Sequence, residues 1–121
     1  MDGEISPEEV ERLLDEGADV RVVDIRSPGA YARGHIPGSE NVPFQQLPDR
    51  VASLTGSERV VTVCPHGKAS VQAANLIASF EGTADARVES MAGGLEAWTG
   101  DLEAGGDDAE AETDEGPQSP F

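Results

Sequence analysis

The run Arg59-Val60-Val61-Thr62-Val63 passes without a break into Cys64-Pro65-His66-Gly67-Lys68, and Ala69 to Phe80 then reads as a helix with Val71, Ala74, Ile77 and Phe80 inward. A β-branched strand that feeds a glycine-containing loop and then a helix is the repeating unit of an open α/β sheet. The rest of the chain agrees with it. Ser6-Pro7-Glu8-Glu9 supplies a capping serine, a proline at the first helical position and a glutamate three after the cap. A helix therefore starts at Pro7, with Val10, Leu13 and Leu14 on one face, and Gly17 ends it. Val20 to Ile25 reads as a buried strand, and Arg26 to Pro43 as loops rich in Gly and Pro around a short helix near Ala30. Pro48 to Leu54 suits a modest helix, with Leu47, Val51 and Leu54 spaced to face the core. A third strand over Arg87 to Met91 precedes Gly93-Gly94 and a last short helix from Leu95 to Trp98. The expected class is α/β, with a parallel sheet covered by helices on both faces.

A chain of 121 residues is the size of one ordinary domain and buries enough surface for one core. Cys64 is the only cysteine, so no internal disulfide forms, and Met-Asp-Gly-Glu-Ile lacks the basic-then-apolar pattern of a secretory signal. A reducing cytoplasm is the expected compartment. No stretch approaches the roughly 18 apolar residues of a membrane span. With 24 acidic against 8 basic side chains the formal charge is −16, which excludes polyanions as partners: neither nucleic acid nor an anionic membrane is expected.

Residues 101–121 contain eight of the acids and no base, with almost no apolar bulk, and are expected to be a disordered acidic tail following a domain over residues 1–100. Without that tail sixteen acids still face eight bases, a net of −8. Such density of surface charge suits a halophilic chain in a very salty cytoplasm, where the Debye length falls to about 3 Å at 1 M.

A lone cysteine at the end of an apolar strand is by default a small buried hydrophobe. Cys64, however, lies beyond the carboxyl end of its strand, where open α/β sheets bind their ligands. Backbone N–H groups of the turn and of the helix start near Ala69 make a cradle for negative charge, such as a thiolate or persulfide. Such surroundings pull a cysteine pKa from about 8.5 into the range of about 3.5 to 7.5, and Lys68, the sole lysine, adds positive charge. Gly67 lets the loop curl, and the Ser70 hydroxyl is placed either to donate to the sulfur or to cap the helix. With no second cysteine, a dithiol mechanism within one chain is excluded and sulfur must pass to an external acceptor.

Three segments, in order, carry a resemblance that covers about Glu4 to Leu102. They are Val23-Asp24-Ile25-Arg26-Ser27-Pro28 with Tyr31 and Gly34-His35-Ile36-Pro37-Gly38; Val60 through Ser70; and Met91-Ala92-Gly93-Gly94-Leu95-Glu96-Ala97-Trp98. Together they resemble a single-domain rhodanese of the thiosulfate sulfurtransferase type. The resemblance implies a five-stranded parallel sheet sandwiched by helices and a Cys64 persulfide held by the backbone donors of the loop. It also implies a small-molecule sulfur donor such as thiosulfate and an acceptor such as cyanide or a thiol. Two positions depart from the pattern. Ala69 stands where many relatives carry an arginine, the positive charge having moved to Lys68, and Pro65 removes one backbone N–H from the loop.

On this reading Cys64 is the nucleophile, and His66, Gly67, Lys68, Ala69 and Ser70 form the substrate-binding loop. Asp24 and Arg26 are expected to brace the neighbouring loops rather than to act on substrate, and His35 to be a hydrogen-bonded structural histidine. Trp98 is expected to pack in the core. No cofactor is called for, and two distant histidines with one cysteine make no metal-ligand pattern. A second reading keeps the fold but makes it a sulfur-relay or binding module, loaded by a partner protein. A third, a phosphatase or arsenate reductase, wants an arginine six residues after the cysteine, where this chain has Ser70.

Overall fold

In a computed structural model, which describes residues 1–105, five strands form one sheet. The strands are β1 (Glu4–Ile5), β2 (Arg21–Asp24), β3 (Glu40–Asn41), β4 (Arg59–Val63) and β5 (Arg87–Met91). Their order across the sheet is β1-β5-β4-β2-β3 and every pairing is parallel. The helices are α1 (Pro7–Asp15), α2 (Pro28–Arg33), α3 (Leu47–Arg50) and α4 (Ala69–Ala78).

Local chemistry sets the helix starts. Ser6 caps α1 by accepting the Glu9 N–H at 3.1 Å, Ser27 caps α2 by accepting that of Ala30 at 3.3 Å, and each is followed by proline. Gly17, at φ +70°, takes the left-handed conformation just past α1.

The central strands β2 and β4 bury valines on both faces, as a covered parallel sheet requires. Alternation along them divides the core. Val22, Val61, Val63 and Met91 pack with Val10 and Leu13 of α1 and with the half-buried Trp98. Val23, Val60 and Val88 pack on the other side with Leu47 and with Ala73, Ala74 and Ile77 of α4.

Three segments differ from the sequence-based expectation. The Pro48–Leu54 region is not one helix: the four-residue α3 is flanked by 3-10 turns at Phe44–Gln46 and Val51–Leu54, although Leu47, Val51 and Leu54 are buried as the spacing predicts. The final segment is a 3-10 turn over Gly94–Ala97. Helix α4 stops at Ala78, where the Ser79 hydroxyl bonds back to the Leu76 carbonyl at 2.8 Å.

Residues 101–105, at the head of the acidic segment, follow the domain surface. His35 and Glu103 exchange backbone hydrogen bonds of 2.9 and 2.8 Å, and the Gly105 N–H donates to the Ala32 carbonyl at 2.7 Å. The remaining tail, 106–121, lies outside the described residues. Among the described residues no helix is long and apolar enough to cross a membrane.

Candidate active site

Cys64 is the first residue beyond β4 and is 2% exposed. Its sulfur accepts the N–H of Gly67 at 3.1 Å and that of Ser70 at 3.3 Å, and the Ser70 hydroxyl lies 3.3 Å away. Lys68, at the cap position of α4, offers the helix no side-chain oxygen. The sulfur fills that role by accepting the amide of Ser70 in the first turn. Of the two uses open to Ser70 in the sequence, the structure selects contact with the sulfur.

The thiol ionises below its ordinary range. Burial, the largest influence, opposes ionisation, but it is outweighed by the Ser70 hydroxyl and by the backbone N–H groups of Ser70, His66 and Gly67. Hydrogen bonding to the anion thus lowers the value, and the charge of Lys68 is not among the leading causes.

The loop is anchored from two sides. Thr62, buried in β4, donates its hydroxyl to the Ser70 carbonyl at 2.7 Å. From the turn after β5, the N–H of Leu95 reaches the Cys64 carbonyl at 2.8 Å and that of Glu96 the Pro65 carbonyl at 3.0 Å. Gly67, at φ +81°, approaches this turn so closely that a Cβ would sit 2.7 Å from the Gly93 nitrogen.

Cys64, Gly67, Ser70 and the backbone of His66 therefore converge on one sulfur. The His66 ring and Lys68 are exposed on the outside of the loop, with His66 Nδ1 3.4 Å from Glu96 Oε1. Ala69 is half-buried against the α4-side core. Asp24 and Arg26 bond to neither the sulfur nor the loop. The buried Asp24 carboxylate accepts the Arg26 backbone N–H at 3.0 Å and its guanidinium at 2.8 Å, and that guanidinium also donates to the Gly34 carbonyl at 2.7 Å. Asn41 adds bonds to the carbonyls of Asp24 and Arg26 at 3.1 and 2.9 Å. His35 is buried, donates Nδ1–H to the Tyr31 carbonyl at 2.8 Å and stacks on the Tyr31 ring. Among the described residues no three His, Cys, Asp or Glu side chains are grouped to hold a metal ion.

One participant escaped the sequence reading. Ser90 of β5 is fully buried with its hydroxyl 2.7 Å from that of Ser70. Serine in a strand carries no sequence signal of its own, and only the parallel pairing of β5 with β4 brings it to the site.

A family model described as the rhodanese-like domain matches residues 6–101. The chain belongs to the rhodanese-like family. It is 39% identical over 94 residues to the thiosulfate sulfurtransferase GlpE of Pseudomonas aeruginosa PAO1, covering 78% of this chain and 81% of that relative. GlpE of Pseudomonas fluorescens Pf-5 is 38% identical, with 78% and 82% covered. A solved thiosulfate sulfurtransferase from Pseudomonas aeruginosa superimposes with a TM-score of 0.73 at 30% identity, over 85% of this chain and 20% of that one. A rhodanese-like domain protein from Staphylococcus aureus gives 0.70 at 27% identity, over 84% and 97%. The family and the relatives named thiosulfate sulfurtransferase place the chain among the rhodanese-like sulfurtransferases at the level of the family.

Proposed function

We propose that the chain moves sulfane sulfur from thiosulfate to a thiophilic acceptor through a persulfide on Cys64. The observation that carries this reading is the sulfur's own setting, an anion cradle of two backbone N–H groups and a hydroxyl at a helix start. The Cys64 thiolate attacks the outer sulfur of thiosulfate. A Cys64 Sγ–S bond forms, the bond between the sulfane sulfur and the sulfonate group breaks, and sulfite leaves with the electron pair. The persulfide anion that remains carries its charge on the outer sulfur. Cyanide or a thiolate then attacks that atom and restores the Cys64 thiolate as leaving group.

In this reading the loop from His66 to Ser70 binds the donor: the N–H groups of Gly67 and Ser70, which already point at the sulfur, face the charge, and the Ser70 hydroxyl orients the sulfur. Lys68 attracts the anionic donor from outside the loop, in place of the arginine that Ala69 lacks. Asp24 and Arg26 act as braces.

The supporting experiment is thiocyanate production from thiosulfate and cyanide, at a rate abolished by Cys64→Ser. If wild type and Cys64→Ser are equally inert, the thiosulfate reading fails. Loading by a protein-bound persulfide would then favour the relay module.

A further inference from the structure

Buried at full depth beside the loop, the hydroxyls of Ser90 and Ser70 lie 2.7 Å apart, and Ser70 lies 3.3 Å from the Cys64 sulfur. Among the described residues the Ser90 hydroxyl has one hydrogen-bond partner, the Ser70 oxygen. Each hydroxyl has one proton to give. If Ser70 donated to Ser90, the Ser90 proton would be sealed in the interior without an acceptor, and the sulfur would lose a donor. Burying an orphaned donor costs more than a hydrogen bond gains. If Ser90 donates to Ser70, every group is satisfied once Cys64 is ionised: the neutral thiol donates to the Ser70 oxygen, whereas the thiolate only accepts, and the Ser70 proton then has only the sulfur left to bond.

We propose that Ser90 is a positioning residue: by donating to Ser70 it commits the Ser70 proton to the Cys64 sulfur and so sets the site to hold an anion there. The inference builds on the sulfur-transfer reading but concerns the resting thiolate, which exists before any donor arrives. Ser90 does not touch the substrate. It acts through Ser70, and the direction of the chain Ser90 to Ser70 to Cys64 comes from the burial of its far end.

The test is a titration of the resting protein without sulfur donor. Thiolate formation is followed by its ultraviolet absorbance, with the Cys64→Ser chain as blank. Ser90→Ala is expected to raise the Cys64 midpoint by about one pH unit, a tenfold loss of thiolate at a fixed lower pH. Ser70→Ala raises it as well, and Ser70→Ala/Ser90→Ala titrates like Ser70→Ala alone, because Ser90 has nothing left to act through. An unchanged midpoint in Ser90→Ala, or shifts that add in the double variant, overturns the proposal. Should Ser90→Ala not fold, the isosteric pair Ser90→Thr and Ser90→Val makes the same comparison, and equal midpoints in that pair overturn it. A chain that moves no sulfur but shows the coupled titration keeps this inference and loses only the sulfur-transfer reading.

Discussion

Gly94 presses its backbone against the carbonyl of Cys64. A Cβ added at Gly94 would collide with that oxygen and would lie 2.5 Å from the Pro65 carbonyl carbon and 2.6 Å from the Gly67 nitrogen. All three are backbone atoms, so no side chain can swing away. At φ +65° the residue is also in the left-handed region that favours glycine.

Gly94→Ala is therefore expected to destabilise the fold by on the order of 3 kcal/mol and to displace the loop that holds the sulfur. Gly17→Ala is the control. At φ +70° with nothing within 4 Å of its Cβ, it pays only the conformational cost, about 1 kcal/mol. Denaturant unfolding of the two variants should separate them; equal losses would mean that the close approach to Cys64 is not a constraint.

The Asp24–Arg26 brace predicts a second asymmetry. Asp24 is 1% exposed, so Arg26→Met leaves a buried carboxylate without its guanidinium and should cost about 3 kcal/mol or more. Asp24→Asn/Arg26→Met removes the charge together with its partner and should cost less than Arg26→Met alone. A double variant that is worse than the single one would contradict the bracing role.

Ionisation of Cys64 makes stability depend on pH in a known direction. Its folded value lies below the ordinary thiol value, through the hydrogen bonds named above. The thiolate's contribution is therefore fully present above the ordinary value of about 8.5 and is lost as the pH falls through the lowered folded value. Cys64→Ser should abolish that part of the pH dependence, read from unfolding curves across neutral and alkaline pH. A slope that persists in Cys64→Ser assigns it to another group.

The net charge of −16 predicts a salt response. Raising potassium chloride from 0.1 M to 1 M shortens the Debye length from about 10 Å to about 3 Å and screens the repulsion among surface carboxylates. The unfolding midpoint should rise across that range, whereas a falling midpoint would sink the idea that the surface is adapted to salt.

The strand, loop and helix around Cys64 were legible because β-branched runs, a glycine and an amphipathic period report directly on backbone state. The edge strands β1 and β3 were not. Each has two residues, too few for any period, and each exists only through its register with a longer neighbour, Ile5 beside Met91 and Asn41 beside Asp24. That the sheet has five strands came from the family resemblance. For the same reason Gly94 read only as part of a turn, while its contact with Cys64 is tertiary. Ser90 shows the sharper limit. Its effect on the sulfur depends on the burial of one proton, a property of the assembled core.

The central claim, a persulfide on Cys64, is tested most directly by intact mass. The protein and its Cys64→Ser variant would be weighed after thiosulfate and again after cyanide, in low and molar salt. The account predicts a gain of one sulfur atom on the parent alone, removed by cyanide as thiocyanate. No gain in either salt, or the same gain on Cys64→Ser, would contradict it.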